Sequence, residues 1–272
     1  MVTFVTCFYA VRSKFDQNVY KQWIKNMLSI VNNFNLVIYT DNVSYNIFKD
    51  FESIIKNNDK IKIVYKNLID FHNFQYKDYW INNQKRNKLL SYVDWQLLML
   101  WAEKIFFVND ARNNAQTIGF ESDWYIWCDI GYFRNRKNDT PISELTHFPN
   151  QNRINSLKEN KIYYARINND STYFWRLIRF IKQGHIIPED QQSIAGGFFI
   201  IHKDKIDWWK DTFDAKLQSY FNQGRLVKDD QIVIINCMAD SYENFELIQE
   251  HNQPYDNWFL FQRWLNQEPE QK

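Results

Sequence analysis

Short apolar, β-rich runs alternate with stretches of helical period from the first residues of the chain, and this alternation confines it to an α/β fold with parallel strands. Residues 2–9 form the first run. A polar loop over 12–18 follows, then a stretch in which Trp23, Met27, Ile30 and Val31 recur at helical spacing. Residues 36–40 predict a second buried strand ending at Asp41, 45–55 a helix-like connection, and 61–65 a third strand. Ligands of such sheets bind beyond the carboxyl ends of the strands. The loops after Phe8, after Thr40 and after the strand that ends at Asp129 are therefore expected around one crevice.

Further along, 66–92 is polar and aromatic without clear period. Residues 95–108, with Leu98, Met99, Trp101, Ala102, Ile105 and Phe106, predict one helix. Residues 124–129 predict a buried strand that closes on a carboxylate. The charged, turn-rich 134–160 reads as a surface excursion. The runs 194–201 and 232–235 fit either a strand or a buried helix, separated by an aromatic helix over 206–220. No internal repeat and no Gly/Ser/Pro linker interrupts the chain, so one domain over 1–272 is expected.

Lys plus Arg (33) and Asp plus Glu (32) leave a net charge of +1, so no global field gathers nucleic acid. The 18% aromatic content suits stacking on sugar rings and bases. An A/T-rich genome would also produce it, together with the abundant Asn, Ile and Lys. Three cysteines, Cys7, Cys128 and Cys237, stand far apart in apolar runs and read as buried free thiols of a reducing compartment. The N-terminal residues lack the basic region and cleavage site of a signal peptide, and no run is long enough to span a membrane. A cytoplasmic protein is expected.

The segment Trp127-Cys128-Asp129-Ile130-Gly131 carries the most chemistry. A carboxylate at the end of an apolar strand needs a cation or hydrogen-bond donors to offset its desolvation. Mn2+ or Mg2+ holding a nucleotide diphosphate is one such partner; capping of a turn is the other reading. Gly196-Gly197 signals close backbone approach, either to a ligand or in tight packing. Asp229-Asp230-Gln231 before an apolar run is a good helix start, which is compatible with catalysis. Asp190 is a further candidate carboxylate.

Several short motifs occur in an order that resembles the HtrL/YibB family of bacterial glycosyltransferases. They are Val5-Thr6-Cys7-Phe8-Tyr9 with Arg12, Tyr20 with Trp23, Val37-Ile38-Tyr39-Thr40-Asp41, Leu100-Trp101-Ala102-Glu103-Lys104, Asp129-Ile130-Gly131-Tyr132-Phe133-Arg134, Gly196-Gly197-Phe198-Phe199 and Asp229-Asp230-Gln231. The chain departs from the family at Ala10 and Val11, where a more acidic, glycine-containing stretch is expected. More distantly, the layout is similar to the glycogenin-like GT-A enzymes. The resemblance implies a single GT-A, Rossmann-like α/β domain with a mixed, mostly parallel central sheet flanked by helices, 1–133 forming a nucleotide-binding half and 134–272 an acceptor-binding half. It implies transfer of a sugar from a nucleotide-diphosphate sugar, UDP favoured, to a glycan or lipid-linked glycan acceptor in surface polysaccharide synthesis. By the same resemblance Thr6, Phe8, Arg12, Asp41, Cys128, Asp129, Gly196 and Gly197 surround the donor, Asp41 meeting its ribose or base. Asp230, Gln231 and Lys104 are the implied catalytic residues, with Lys104 and Arg12 as cations at the diphosphate and Lys14 and Arg134 in reserve.

The second carboxylate of the usual Asp-x-Asp pair is replaced by Gly131. A metal, Mn2+ or Mg2+, is then expected on Asp129 and His251, the histidine being equally readable as a surface residue. Trp258, Phe259, Phe261, Arg263 and Trp264 suit either peripheral contact with a membrane or a docking helix on the core. A metal-dependent nucleotidyltransferase also fits Asp129, although no Gly-rich phosphate loop is present. A non-catalytic glycan-binding module would use the aromatics alone.

Overall fold

A computed structural model describes residues 1–251 and 254–269. Strands β1 (Val2–Cys7), β2 (Asn35–Thr40) and β3 (Ile61–Tyr65) are joined through helices α1 (Gln17–Ser29) and α2 (Glu52–Asn57). Four helices follow: α3 (Lys77–Arg86), α4 (Trp95–Ala102), α5 (Lys104–Asn113) and α6 (Ala115–Ile118). They lead to β4 (Trp124–Cys128), α7 (Gln151–Asn155), β5 (Ile162–Ala165) and α8 (Ser171–Lys182). The chain continues through β6 (Phe198–His202), α9 (Ile206–Asn222), α10 (Asp230–Asp240), β7 (Phe245–Ile248) and α11 (Leu260–Trp264).

The seven strands form one sheet in the order β3-β2-β1-β4-β6-β5-β7. β1 pairs in parallel with β2 and β4, β2 with β3, and β5 with β7, whereas β6 runs antiparallel to both β4 and β5. The result is the expected mixed, mostly parallel α/β sheet with helices on both faces. Side chains alternate across each strand. Val5, Val37, Tyr125 and Trp127 therefore join a core with α4, α5, α8, α9 and α10. Phe4, Leu36, Ile126 and Cys128 join the opposite core with α1, α7 and α11.

The structure changes two sequence expectations, chooses between two readings of a third segment, and adds elements the sequence did not announce. The helix over 95–108 is two helices that break at Glu103, whose fully buried carboxylate accepts hydrogen bonds from His72 N (2.7 Å), Asn73 N (3.0 Å) and Asn73 Nδ2 (2.7 Å). The 232–235 run belongs to α10, a helix buried on nearly every side, which is why its apolar pattern carries no period. Residues 134–160 are no simple excursion, since Leu145, Phe148 and Ile154 enter the core. Strands β5 and β7, and helices α3 and α8, come from segments without a clear signal. At the C-terminal end Phe261 is buried and stacks on Phe198 with ring centroids 4.8 Å apart, so this segment is a docking helix. No helix among the described residues is long and apolar enough to cross a membrane.

Candidate active site

The antiparallel strand β6 assembles the site. Its register sets Phe198 opposite Cys128, which brings Gly196-Gly197 beside the end of β4, and Asp129 N donates to Gly197 O at 2.8 Å. Strand alternation puts Asp129 on the same side as Trp127, whose indole Nε1 donates to Asp129 Oδ1 at 2.7 Å. The break at Glu103 makes Lys104 the first residue of α5, and its side chain enters the same space.

Lys104 Nζ donates to Gly196 O at 2.8 Å and lies 2.9 Å from Asp230 Oδ2 and 3.2 Å from Asp129 Oδ1. Lys104 and Asp230 are almost wholly buried, while the Asp129 side chain keeps 40% of its exposure. Burial opposes the Lys104 charge, but the two carboxylates outweigh it, and its pKa is raised. The arrangement is asymmetric: one ammonium has two carboxylates, and each carboxylate shares one ammonium. Burial pushes Asp230 up to about 6 against the pull of Lys104, with Asp229 and Asp129 adding to the rise. The Lys104 contact to Asp230 Oδ2 is an ion pair rather than an aligned hydrogen bond, and that oxygen has no regular donor among the described residues.

The glycines are fitted to these carboxylates. A Cβ at Gly196 would sit 2.9 Å from both Asp230 oxygens, and one at Gly197 would sit 3.2 Å from Asp129 Oδ2. The two aspartates of the 229–230 pair divide the work. Asp229 is the N-cap of α10, accepting from Ile232 N, and Asp230 is left to face Lys104. Gln231 is also anchored here through a hydrogen bond from its Nε2 to Ile194 O.

Two adjoining cavities of about 520 and 460 Å3 meet at this cluster, Asp129 and Lys104 bordering both. Their sizes lie within the range of small-molecule sites. The first lobe is walled by the β1–α1 loop, including Phe8 and Arg12, together with Trp23 and Trp101. The second is walled by Asp190, Gly196, Gly197, Asp230, Gln231 and Trp258, with Lys14 and Lys228 also on it.

Sequence reasoning therefore brings Phe8, Arg12, Lys104, Asp129, Gly196, Gly197, Asp230 and Gln231 to one place. Four others stand elsewhere. Thr6 and Cys128 are fully buried and border neither lobe, because their even positions in β1 and β4 turn them to the far face of the sheet. Asp41 also borders neither lobe; its Oδ1 accepts from Ser44 N at 2.6 Å and caps the turn after β2. His251 is exposed and borders neither lobe. Trp101, Lys228 and Trp258 line the lobes without having been assigned to the site. Trp101 had a signal, since it precedes Lys104 by three residues and so shares its side of the chain.

The donor set for a divalent cation fits poorly. Asp129 offers one uncommitted oxygen, Oδ2, with an ammonium 3.2 Å from its other oxygen. A second carboxylate at Gly131 would have to displace the Trp23 ring, because a Cβ there would lie 2.6 Å from it. No group of three His, Cys, Asp or Glu side chains among the described residues is arranged to hold a metal.

No family model matches the sequence, and no curated protein is significantly similar to it. Solved structures share its fold. Mouse xyloside xylosyltransferase 1 in its apo form superposes with a TM-score of 0.50 at 12% identity, over 90% of this chain and 84% of that one. The WbbM bifunctional glycosyltransferase gives 0.47 at 11%, over 91% of this chain but only 38% of that one. The galactosyltransferase LgtC, solved with donor and acceptor sugar analogues, gives 0.43 at 11%, over 86% and 69%. The likeness to the xylosyltransferase is one of fold: the chain has the GT-A glycosyltransferase fold.

Proposed function

We propose that this chain is a glycosyltransferase that moves a sugar from a nucleotide-diphosphate sugar, UDP-linked in the first instance, to a glycan or lipid-linked glycan, as in surface polysaccharide assembly by HtrL/YibB-like proteins. The observation that carries the reading is the Asp129–Lys104–Asp230 cluster where two cavities meet at the carboxyl ends of β1 and β4. A glycosyl donor and its acceptor need two adjoining spaces with the reacting carbon at their junction. The first lobe, with Tyr20, Trp23 and Trp101 on its wall, suits a flat base. The second, with Asp190, Gln191 and Trp258, suits a polyhydroxylated acceptor.

Lys104 donates to Gly196 O and is ion-paired with both Asp129 and Asp230. Its part is to hold both carboxylates ionised and in place. Asp230, on the wall of the second lobe, meets the transferred sugar or the incoming hydroxyl. Preorganised charge of this kind acts without reorganisation during reaction. Such an enzyme would work at the cytoplasmic face of the membrane, where lipid-linked acceptors are presented.

The test is thermal denaturation with UDP-, GDP-, CMP- and TDP-sugars, each with Mn2+ and with chelator. A true donor at 100 times its dissociation constant adds about 2.7 kcal/mol of stability. One nucleotide class should raise the melting temperature well above the others. If none does so in either buffer, the reading fails.

A further inference from the structure

At the junction of the two lobes, and resting on the reading just proposed, we infer that Lys14 and Arg134 hold the diphosphate, so that side-chain cations take the place of a divalent ion. Three observations lead there. The carboxylate geometry leaves no room for a second acidic ligand at position 131, where the Trp23 ring stands 2.6 Å from any Cβ. The single remaining carboxylate, Asp129, already faces the Lys104 ammonium at 3.2 Å, which repels a further cation. The walls around Asp129 meanwhile carry cations without carboxylate partners.

Arg134 borders both lobes. Its guanidinium carbon lies 4.4 Å from the Trp23 ring centroid, 4.9 Å from that of Phe259 and 5.3 Å from that of Phe15. Its Nε donates to Gly131 O at 2.8 Å, and its terminal nitrogens make no hydrogen bond to a described residue. Aromatic faces and one backbone bond fix the plane of the group and leave its outer donors for an oxyanion. Lys14 borders the second lobe near its junction with the first: its Nζ stands 5.7 Å from the ring of Trp101, which lines both lobes, and it has no ion pair among the described residues. Lys228 is on the same wall but is engaged by Asp229 at 3.4 Å and Glu189 O at 2.9 Å. Asp190 is the acidic side chain on that wall that has no cation in contact among the described residues. Partial desolvation and the charges of Lys228 and Arg134 lower the Lys14 pKa, against the opposing pull of Asp229.

Calorimetric titration of the full chain with UDP, GDP, CDP and TDP, in EDTA and in Mn2+, tests this. The tightest diphosphate should bind in EDTA within about threefold of its affinity in Mn2+, a difference of well under one tenfold step. Lys14→Gln and Arg134→Gln should each weaken that diphosphate about tenfold or more, as loss of a charge-assisted bond does, and leave the matching unphosphorylated nucleoside little changed. Lys14 is at the surface edge of its wall, so its variant keeps the test valid if the Arg134 variant unfolds. Binding that appears only with Mn2+, or a Lys14→Gln protein with unchanged diphosphate affinity, overturns the inference while leaving the glycosyltransferase reading intact. Absence of binding in both buffers overturns both.

Discussion

The Lys104 ammonium stands 2.9 Å from Asp230 Oδ2, with the two side chains only 8% and 7% exposed. A buried pair of this kind contributes little net stability beside well-packed apolar groups, yet removing one partner leaves an uncompensated charge in the interior. The pair is thus better explained as a device that fixes Asp230 at the junction of the lobes.

Replacing Lys104 with Met keeps an unbranched side chain, one atom shorter, and removes the charge. The expected loss of stability is about 3–5 kcal/mol in chemical denaturation. Transfer should fall by about a hundredfold or more even at temperatures where the variant stays folded, as when a preorganised charged group is lost. A folded variant with near-normal turnover would remove Lys104 from the mechanism.

Asp230 must be ionised to accept a proton, and burial has raised its pKa to about 6. The rate should therefore be full above neutrality and fall as pH drops through about 6, visible as an acid limb in kcat/KM. Lys104 pulls that pKa down, so any residual activity of Lys104→Met should show the limb displaced to higher pH. A profile flat from pH 5 to 8 would contradict the assignment.

Gly196→Ala drives a methyl group to 2.9 Å from both Asp230 oxygens. The backbone at Gly196 also accepts from Lys104, so neither side can retreat freely. We expect a fall in kcat larger than any change in donor KM, measured by steady-state kinetics, with Gly197→Ala milder because its contact with Asp129 is 3.2 Å.

Gly131→Asp recreates the Asp-x-Asp spacing on paper. With Trp23 Cε3 2.6 Å from the new Cβ, overpacking should cost about 1–3 kcal/mol. Mn2+ should not restore that loss in a thermal melt.

Glu103 gives a stability signal separate from catalysis. Burial lifts its pKa from 4.5 to about 7, against the donors from Asn73 and His72. The native state then binds the extra proton between these values, so this group's contribution to stability declines as pH rises through that interval, by at most about 3 kcal/mol. Glu103→Gln should be more nearly as stable as the parent at pH 8 than at pH 5, read from urea midpoints at the two pH values.

Much of this was legible because β1, β2, β3 and β4 are short runs rich in apolar and β-branched residues, and because Asp129 closes one of them. Parity along β4 also held the answer for Cys128: residues 127 and 129 share a side, and 128 does not. The break at Glu103 was hidden, since Glu followed by Lys is favourable within a helix; only the turn at His72–Asn73, thirty residues earlier, gives that carboxylate its donors. β5 and β7 have four residues each, too few for a period to emerge. Gly131 reads in sequence as a lost ligand, and its cause, the Trp23 ring, becomes visible only when α1 is packed against the end of β4.

The most direct measurement is release of nucleoside diphosphate from the nucleotide sugar chosen by the melting screen, comparing the parent with Asp230→Asn. The parent should release it, and Asp230→Asn should bind the same donor yet release the diphosphate at least about a hundredfold more slowly. Equal rates from the two proteins, or a parent that cleaves none of the bound nucleotide sugars, would contradict the assignment of this cluster as a glycosyl-transfer site.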